Sequence, residues 1–160
     1  MSEITDQIWV GNYGDACNEI FLSERKITHI INCAKELQAS VLRPGYQINI
    51  VDDVADAKTK KYFLEAASVL DRWVREGNKI IVHCFAGISR STSVVITYCM
   101  VYKGWSYDVA YRYLKQRRFQ TNPHPDFVPI LKEIETQFTL QPPPHHPQQG
   151  LEVPRPQHDQ

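Results

Sequence analysis

Within the stretch IIVHCFAGISRSTS, Ile80 to Ser93, a cysteine, a glycine and an arginine stand in one short loop: Cys84, Gly87 and Arg90. An apolar run ends at His83, just before the cysteine. If Ser91 begins a helix, the successive backbone N–H groups of Phe85, Ala86, Gly87, Ile88, Ser89 and Arg90 form a concave nest for an anion, and the helix N-terminus adds partial positive charge. Gly87 lets the backbone close around a tetrahedral ligand, and the Arg90 guanidinium offers a fork matched to two phosphate oxygens. Cys84, on the floor of that cup, stands where a nucleophilic thiolate is favoured. No G-x-x-x-x-G-K-[ST] occurs. The loop is therefore expected to attack a phosphate rather than to carry that of a nucleotide.

Positioning such a loop takes a strand before it and a helix after it, and the chain supplies both. Runs rich in β-branched residues predict strands at Ile8–Val10, Ile27–Cys33, Tyr46–Val51 and Lys79–His83. Between them, Asn18–Arg25 reads as a short helix, and Thr59–Glu76 spaces Phe63, Ala66, Ala67, Leu70, Trp73 and Val74 along one helical face with Gly77 as its stop. Ser91–Lys103 is apolar on nearly every side, which predicts a helix buried in the middle of the domain and ended by Gly104. Ser106 caps the next helix, to about Arg118, and a last one carries Phe127, Ile130, Leu131, Ile134 and Phe138 on one face, with Pro129 in its first turn. The expected fold class is α/β, with a central, largely parallel sheet flanked by helices and a helical C-terminal half. Such sheets bind ligands at the carboxyl ends of their strands.

Composition narrows the function classes. A chain of 160 residues without an internal repeat fits one domain. Eighteen basic residues balance eighteen acidic ones, so no global field draws the chain to nucleic acid or to an anionic membrane. Cys17, Cys33, Cys84 and Cys99 show neither zinc-site spacing nor the density of a disulfide scaffold, which suits a reducing, cytoplasmic setting with nuclear access. The most apolar run, Val94–Val101, falls short of the roughly 20 residues that span a bilayer, and no leader pattern opens the sequence. From Gln141 the composition changes: the last stretch holds six of the ten prolines and two aliphatic side chains. Residues 1–140 are expected to form the catalytic domain and 141–160 a flexible tail, with a ligand for an SH3 or WW domain as the alternative reading. His145 and His146 are expected to be solvated rather than metal-binding.

The segment HCFAGISRS resembles the H-C-x-x-G-x-x-R-[ST] signature of cysteine-dependent phosphatases, and its A-G-x-S-R-S form resembles the dual-specificity protein phosphatases. ITDQIWVGNYGDA, ITHIINCAKEL, YFLEAASVLDRWVREGNKIIVHC and AYRYLKQRR resemble successive segments of the same family, so the likeness runs from about Ile4 to Phe138 and leaves out the tail. The resemblance implies that Cys84 attacks phosphorus to form a phosphocysteine, that Arg90 and the loop amides of Phe85–Arg90 hold the phosphate oxygens, and that an aspartate serves as general acid and then base. It also implies a phosphoprotein substrate, bearing phosphotyrosine and phosphoserine or phosphothreonine, and no metal or cofactor. An ungapped match puts Asp53 at the acid position, with Asp52 and Asp56 as rivals; all three also fit a solvated acidic loop. Ser91 matches the hydroxyl that eases departure of the thiolate, or is simply an N-cap. His83 matches the histidine that supports the loop, or is an ordinary core histidine.

The pattern also leaves positions open. Arg118 falls where some members carry a basic residue near the pocket, so it reads either as a second anion site or as a solvated helix end. Beyond it, His124 stands where the family often has Asn, and Ile130 where it often has Gln. Cys33 should lie on the strand beside Cys84, as a buried apolar residue or as the partner in a protective disulfide. Little chain precedes the first strand, so the site is expected to be shallow and to admit both short and long phosphoresidues. The alternatives are a non-protein substrate (a phosphoinositide, a glucan or an RNA 5′-phosphate) and, from a different class, a phosphoprotein-binding module without turnover.

Overall fold

Alternation along the strands decides what each face of the sheet meets. The protein is described by a computed structural model over residues 1–52 and 54–139. Its strands are β1 (Ser2–Glu3), β2 (Ile8–Gly11), β3 (His29–Ala34), β4 (Gly45–Ile50) and β5 (Ile80–His83). They lie in the order β1-β2-β5-β3-β4, with β1 antiparallel to β2 and the other pairs parallel. Ile80 and Val82 of β5, Ile31 and Cys33 of β3 and Ile48 and Ile50 of β4 enter one large core. Ile81, Ile30 and Trp9 point to the opposite face and pack with Leu22 and Ile27.

The helices divide accordingly. α1 (Tyr13–Ala16) and α2 (Glu19–Glu24) belong to the smaller face, and α3 (Thr59–Arg75), α4 (Arg90–Lys103), α5 (Tyr107–Arg117) and α6 (Val128–Thr139) to the larger. Helix α3 buries Phe63, Ala66, Ala67 and Leu70, the face its spacing predicts. Phe63 meets Phe127 edge-on with ring centroids 5.3 Å apart, joining α3 to the turn before α6. Helix α4 is buried at every residue from Arg90 to Met100, because sheet, α3, α5 and α6 surround it. It ends at Gly104, whose φ of 72° is left-handed. Ser106 caps α5 by accepting the Val109 N–H at 3.1 Å, and Pro129 is the second residue of α6, where its missing donor costs nothing. The expected helices and four main strands are thus present with ends shifted by a residue or two. The additions are β1 and α1.

Among the described residues no helix is long and apolar enough to cross a membrane. The expectations for the tail, including His145, His146 and the proline-recognition ligand, lie outside the described residues, as does Asp53.

Strand β5 sits between β2 and β3, with Gly11 opposite His83 on one side and Asn32 on the other. Its last residue is 1% exposed. The Nδ1–H of His83 donates to the Cys84 carbonyl at 3.2 Å, which leaves Nε2 as the unprotonated nitrogen, buried and without a partner among the described residues. Burial pulls the imidazole below its ordinary 6.5, more than the Cys84 carbonyl and Asp15 raise it. In the unfolded chain the ring titrates at its ordinary value, so His83 contributes its full stability above about pH 6.5 and loses it as pH falls through the lower folded value. The stability deficit of His83→Gln relative to the parent, measured by urea unfolding, is therefore expected to shrink between about pH 7.5 and 5.5. A deficit independent of pH would contradict the neutral buried ring.

Candidate active site

The backbone of Cys84–Ser89 hangs from its surroundings by its carbonyls. Phe85 O accepts from Tyr13 N–H at 3.0 Å, Ile88 O from Asn122 N–H at 2.9 Å, and Ser89 O from Ser93 N–H at 2.9 Å. Gly87 O accepts from Arg118 Nε at 2.7 Å, and Thr92 Oγ1 donates to Ile88 O at 2.7 Å. Across a trans peptide plane the carbonyl of one residue and the N–H of the next point in opposite directions. Tying these carbonyls, and that of Cys84 to His83, outward therefore turns the amides of Phe85, Ala86, Ile88, Ser89 and Arg90 to the opposite side.

Gly87 is required there twice over. Its φ of 71° lies in the left-handed region, and an added Cβ would stand 2.5 Å from Arg118 Nη2 and 2.6 Å from the Gly11 carbonyl. Cys84 is 2% exposed on the floor of the loop, and its Sγ lies 3.2 Å from the Oγ of buried Ser91. Arg90 opens α4 and is equally buried. Its Nη1 and Nη2 donate to the two carboxylate oxygens of Glu36 at 2.7 and 2.8 Å, and Nη1 also donates to Ile50 O at 3.1 Å. That guanidinium holds the Glu36 carboxyl below its usual range.

Above the loop opens a cleft of about 270 Å³ whose walls include Asp52, Phe85, Ile88, Asn122, His124 and Pro125. Phe85 and Ile88 are exposed at its rim. Of the candidate acids, Asp52 lines this cleft, with Oδ1 3.8 Å from Arg90 Nε. Asp56 is committed elsewhere: its Oδ1 accepts from Lys58 N–H at 2.8 Å in the turn that leads into α3. The segment after α5 supports the loop through its backbone, with His124 N–H donating to Ser89 Oγ at 2.8 Å in addition to the Asn122 contact. The departures from the family pattern at His124 and Ile130 leave those two bonds in place, because main-chain amides make them.

Arg118 differs from both expectations. It is 5% exposed, so it is not a solvated helix end, and its Nε and Nη1 are committed to Gly87 O and to Ser2 Oγ at 2.7 and 3.0 Å. It therefore lies behind the loop instead of forming a second anion site at its mouth. The cause is the Gly87 carbonyl, which needs a buried donor. Cys33, one residue past the Asn32–His83 pair, is fully buried; burial, and after it the neighbouring Cys84, pushes its thiol well above the ordinary range. All four cysteines are free. Glu36 escapes sequence reasoning altogether, since an acidic residue in a loop after β3 carries no spacing that ties it to Arg90.

The family model for the catalytic domain of dual specificity phosphatases matches residues 8–137. Dual specificity protein phosphatase 1B of Arabidopsis thaliana is 32% identical over 136 residues, which cover 84% of this chain and 81% of the plant protein. The serine/threonine/tyrosine-interacting protein of Mus musculus is 34% identical over 143 residues, covering 84% of this chain but only 64% of the mouse protein. Among solved structures, the human tyrosine phosphatase-like serine/threonine/tyrosine-interacting protein superposes with a TM-score of 0.76 at 32% identity, covering 86% of this chain and 96% of that one. Human DUSP28 shares the fold, with a TM-score of 0.81 at 22% identity over 88% and 99% of the two chains. By sequence and by fold together, this chain belongs to the dual-specificity phosphatases, a family of cysteine-dependent protein phosphatases.

Proposed function

We propose that residues 1–140 form a catalytic domain that hydrolyses phosphotyrosine and phosphoserine or phosphothreonine on proteins through a phosphocysteine at Cys84. The observation that carries this reading is that Cys84, Arg90 and the loop between them line one cleft, with the Ser91 hydroxyl 3.2 Å from the Cys84 sulfur. In the first step the thiolate of Cys84 attacks phosphorus while the bond to the leaving oxygen breaks, and Asp53 gives that oxygen its proton. Charge gathering on the three equatorial oxygens is met by the amides of Phe85–Arg90 and by the Arg90 fork. In the second step the Asp53 carboxylate takes a proton from water, the water oxygen attacks phosphorus, and the P–S bond breaks to release inorganic phosphate. The Ser91 hydroxyl donates to the departing thiolate. His83 anchors the Cys84 carbonyl and so holds the start of the loop.

Assignment of the acid to Asp53 rests on the ungapped family match, with Asp52 in the cleft wall as the competing candidate. Breadth of substrate is supported by the names of the relatives and by a cleft whose rim is apolar at Phe85 and Ile88. The Pro-rich segment 141–160 is assigned no part in the chemistry.

Two measurements test the reading. Phosphate release from phosphotyrosine, phosphothreonine and phosphoserine peptides, beside phosphoinositides, a phosphoglucan and 5′-triphosphate RNA, is expected to favour the peptides. Cys84→Ser should abolish it, and Asp53→Ala should lower it about 10²-fold, more than Asp52→Ala or Asp56→Ala. Turnover confined to a non-protein substrate would sink the substrate assignment, and peptide binding without turnover would sink the enzyme assignment. Separately, Ser91→Ala should slow breakdown of the phosphocysteine more than its formation. A stopped-flow assay with an aryl phosphate would then show a burst of about one equivalent of phenol per enzyme, followed by a slow steady state. A uniform loss with no burst would remove Ser91 from the second step.

A further inference from the structure

Two loop residues keep large apolar side chains exposed in the wall of the cleft. Phe85 is 61% exposed and Ile88 37%, and both line the cleft together with Pro125. Neither belongs to the apolar clusters on the two faces of the sheet, so the core does not draw on them. Their backbones are nonetheless held in place. Phe85 O accepts from Tyr13 N–H at 3.0 Å, and Ile88 O accepts from Asn122 N–H at 2.9 Å and from Thr92 Oγ1 at 2.7 Å. Apolar surface mounted on a fixed backbone loses little freedom when a second surface covers it, and an aromatic ring has only two side-chain torsions to freeze. Both properties suit a binding anchor.

Charge in the same wall is negative. Among the described residues that line the cleft, Arg90 is the one arginine or lysine, and Glu36 and Asp52 already face it, at 2.7 Å from Nη1 and 3.8 Å from Nε. Asp52 is itself a wall residue, with its side chain half-exposed. Asp126 stands beside the wall residue His124, with Oδ2 4.0 Å from Nδ1, and is likewise half-exposed; His124 carries charge only when protonated. Arg118, the other arginine bonded to the loop, commits Nε and Nη1 behind it to Gly87 O and Ser2 Oγ. A second phosphate or a carboxylate arriving beside the first therefore meets like charge and apolar surface at this wall.

We propose that Phe85 and Ile88 are specificity-determining residues: the cleft selects singly phosphorylated protein segments with an apolar side chain two residues from the phosphoresidue, and Asp52 and Asp126 turn away acidic or phosphorylated neighbours. Successive side chains of an extended peptide point to opposite sides, and those two apart share a side at a spacing of about 7 Å. With the phosphoresidue in the cleft, the side chain at position −2 or +2 comes down on the rim and covers Phe85 and Ile88, whereas those at −1 and +1 point away. The contact removes apolar surface of both partners from water. This rests on phosphopeptides being the substrates of Cys84, and it names which of them are preferred.

The test is a set of phosphotyrosine peptides of one parent sequence, with Leu, Ala or Glu placed in turn at −2, −1, +1 and +2, and one peptide with a second phosphoresidue at +2. Phosphate release gives kcat/KM for the parent enzyme, Phe85→Ala, Ile88→Ala and Asp126→Asn, and for Ile20→Ala, which removes exposed apolar surface on α2, away from the cleft. Expected is a preference for Leu over Ala of about tenfold at −2 or at +2, and of less than about twofold at −1 and +1. Phe85→Ala and Ile88→Ala should each bring that ratio below about threefold, and Ile20→Ala should keep it. A loss common to both peptides, from a disturbed fold or phosphate cup, cancels in the ratio. Glu at the favoured position and the second phosphoresidue should each lower kcat/KM about fivefold relative to Ala at low ionic strength, a penalty that shrinks at about 0.5 M salt and in Asp126→Asn. A Leu preference that survives both loop variants, one as large at −1 or +1, or acidic peptides turned over as fast as the Ala peptide would each overturn the proposal. If the parent enzyme turns over no peptide, the phosphatase reading itself fails, and this one with it; flat selectivity with good turnover sinks this one alone.

Discussion

Everything at the site depends on the outward pull on the carbonyls between Cys84 and Ser89. A loop of six residues has no regular ladder to satisfy its peptide groups, so their direction is set by whatever donors the scaffold offers. Here those donors come from four separate places: the Tyr13 amide at the start of α1, the Arg118 guanidinium at the end of α5, the Asn122 amide beyond it, and the hydroxyl of Thr92 within α4. Together they fix the three peptide planes that begin at Phe85, Gly87 and Ile88, and each fixed plane turns one N–H the other way. The nest is the mirror of its supports.

Two buried arginines divide the electrostatic work. Arg118 stands behind the loop, where burial pulls its pKa down while Asp15 and Cys84 act in the other direction. Arg90 stands at the cleft, where Glu36, Cys84 and Asp52 outweigh the burial that would lower it. One cation holds the loop's backbone from outside and the other presents an edge to its interior. Because Gly87 is wedged between Arg118 and the Gly11 carbonyl, the backbone support and the strand ends are also in direct contact, and the cup has little room to relax.

How much of this was legible in the sequence depends on the distance over which each feature is decided. The loop, α3, α4 and α5 are local matters: helical spacing, Gly77 and Gly104 as stops and Ser106 as a cap all act within a turn or two. β1 was not visible, since two residues give no alternation. α1 has only four residues, but its capping box was in the sequence: Asn12 Oδ1 accepts the Asp15 N–H at 2.8 Å, and Asp15 Oδ2 accepts the Asn12 N–H at 2.9 Å. Cys84, Arg90 and Ser91 are legible as one group because they lie within eight consecutive residues of a loop and the start of α4. Glu36 and the buried place of Arg118 are not legible there, because their partners, Arg90 and Gly87, lie far away in the chain and only the folded sheet brings them together. Local pattern alone leaves the acid open among three aspartates, and the proposal of Asp53 rests on the family resemblance.

The place of β5 between two parallel neighbours has a dynamic consequence. Amide protons exchange with solvent through local openings that begin at edges and loops, and a strand paired on both sides opens last. In this sheet the edges are β1 and β4, and the strand that carries the nucleophile is the central one. The residues just before Cys84 therefore belong to the slowest-exchanging part of the sheet, while the edge strands β1 and β4 lie at its faster margin. Cys84 follows directly on the strand that opens last, so fraying at the sheet's edges leaves the position of its sulfur undisturbed.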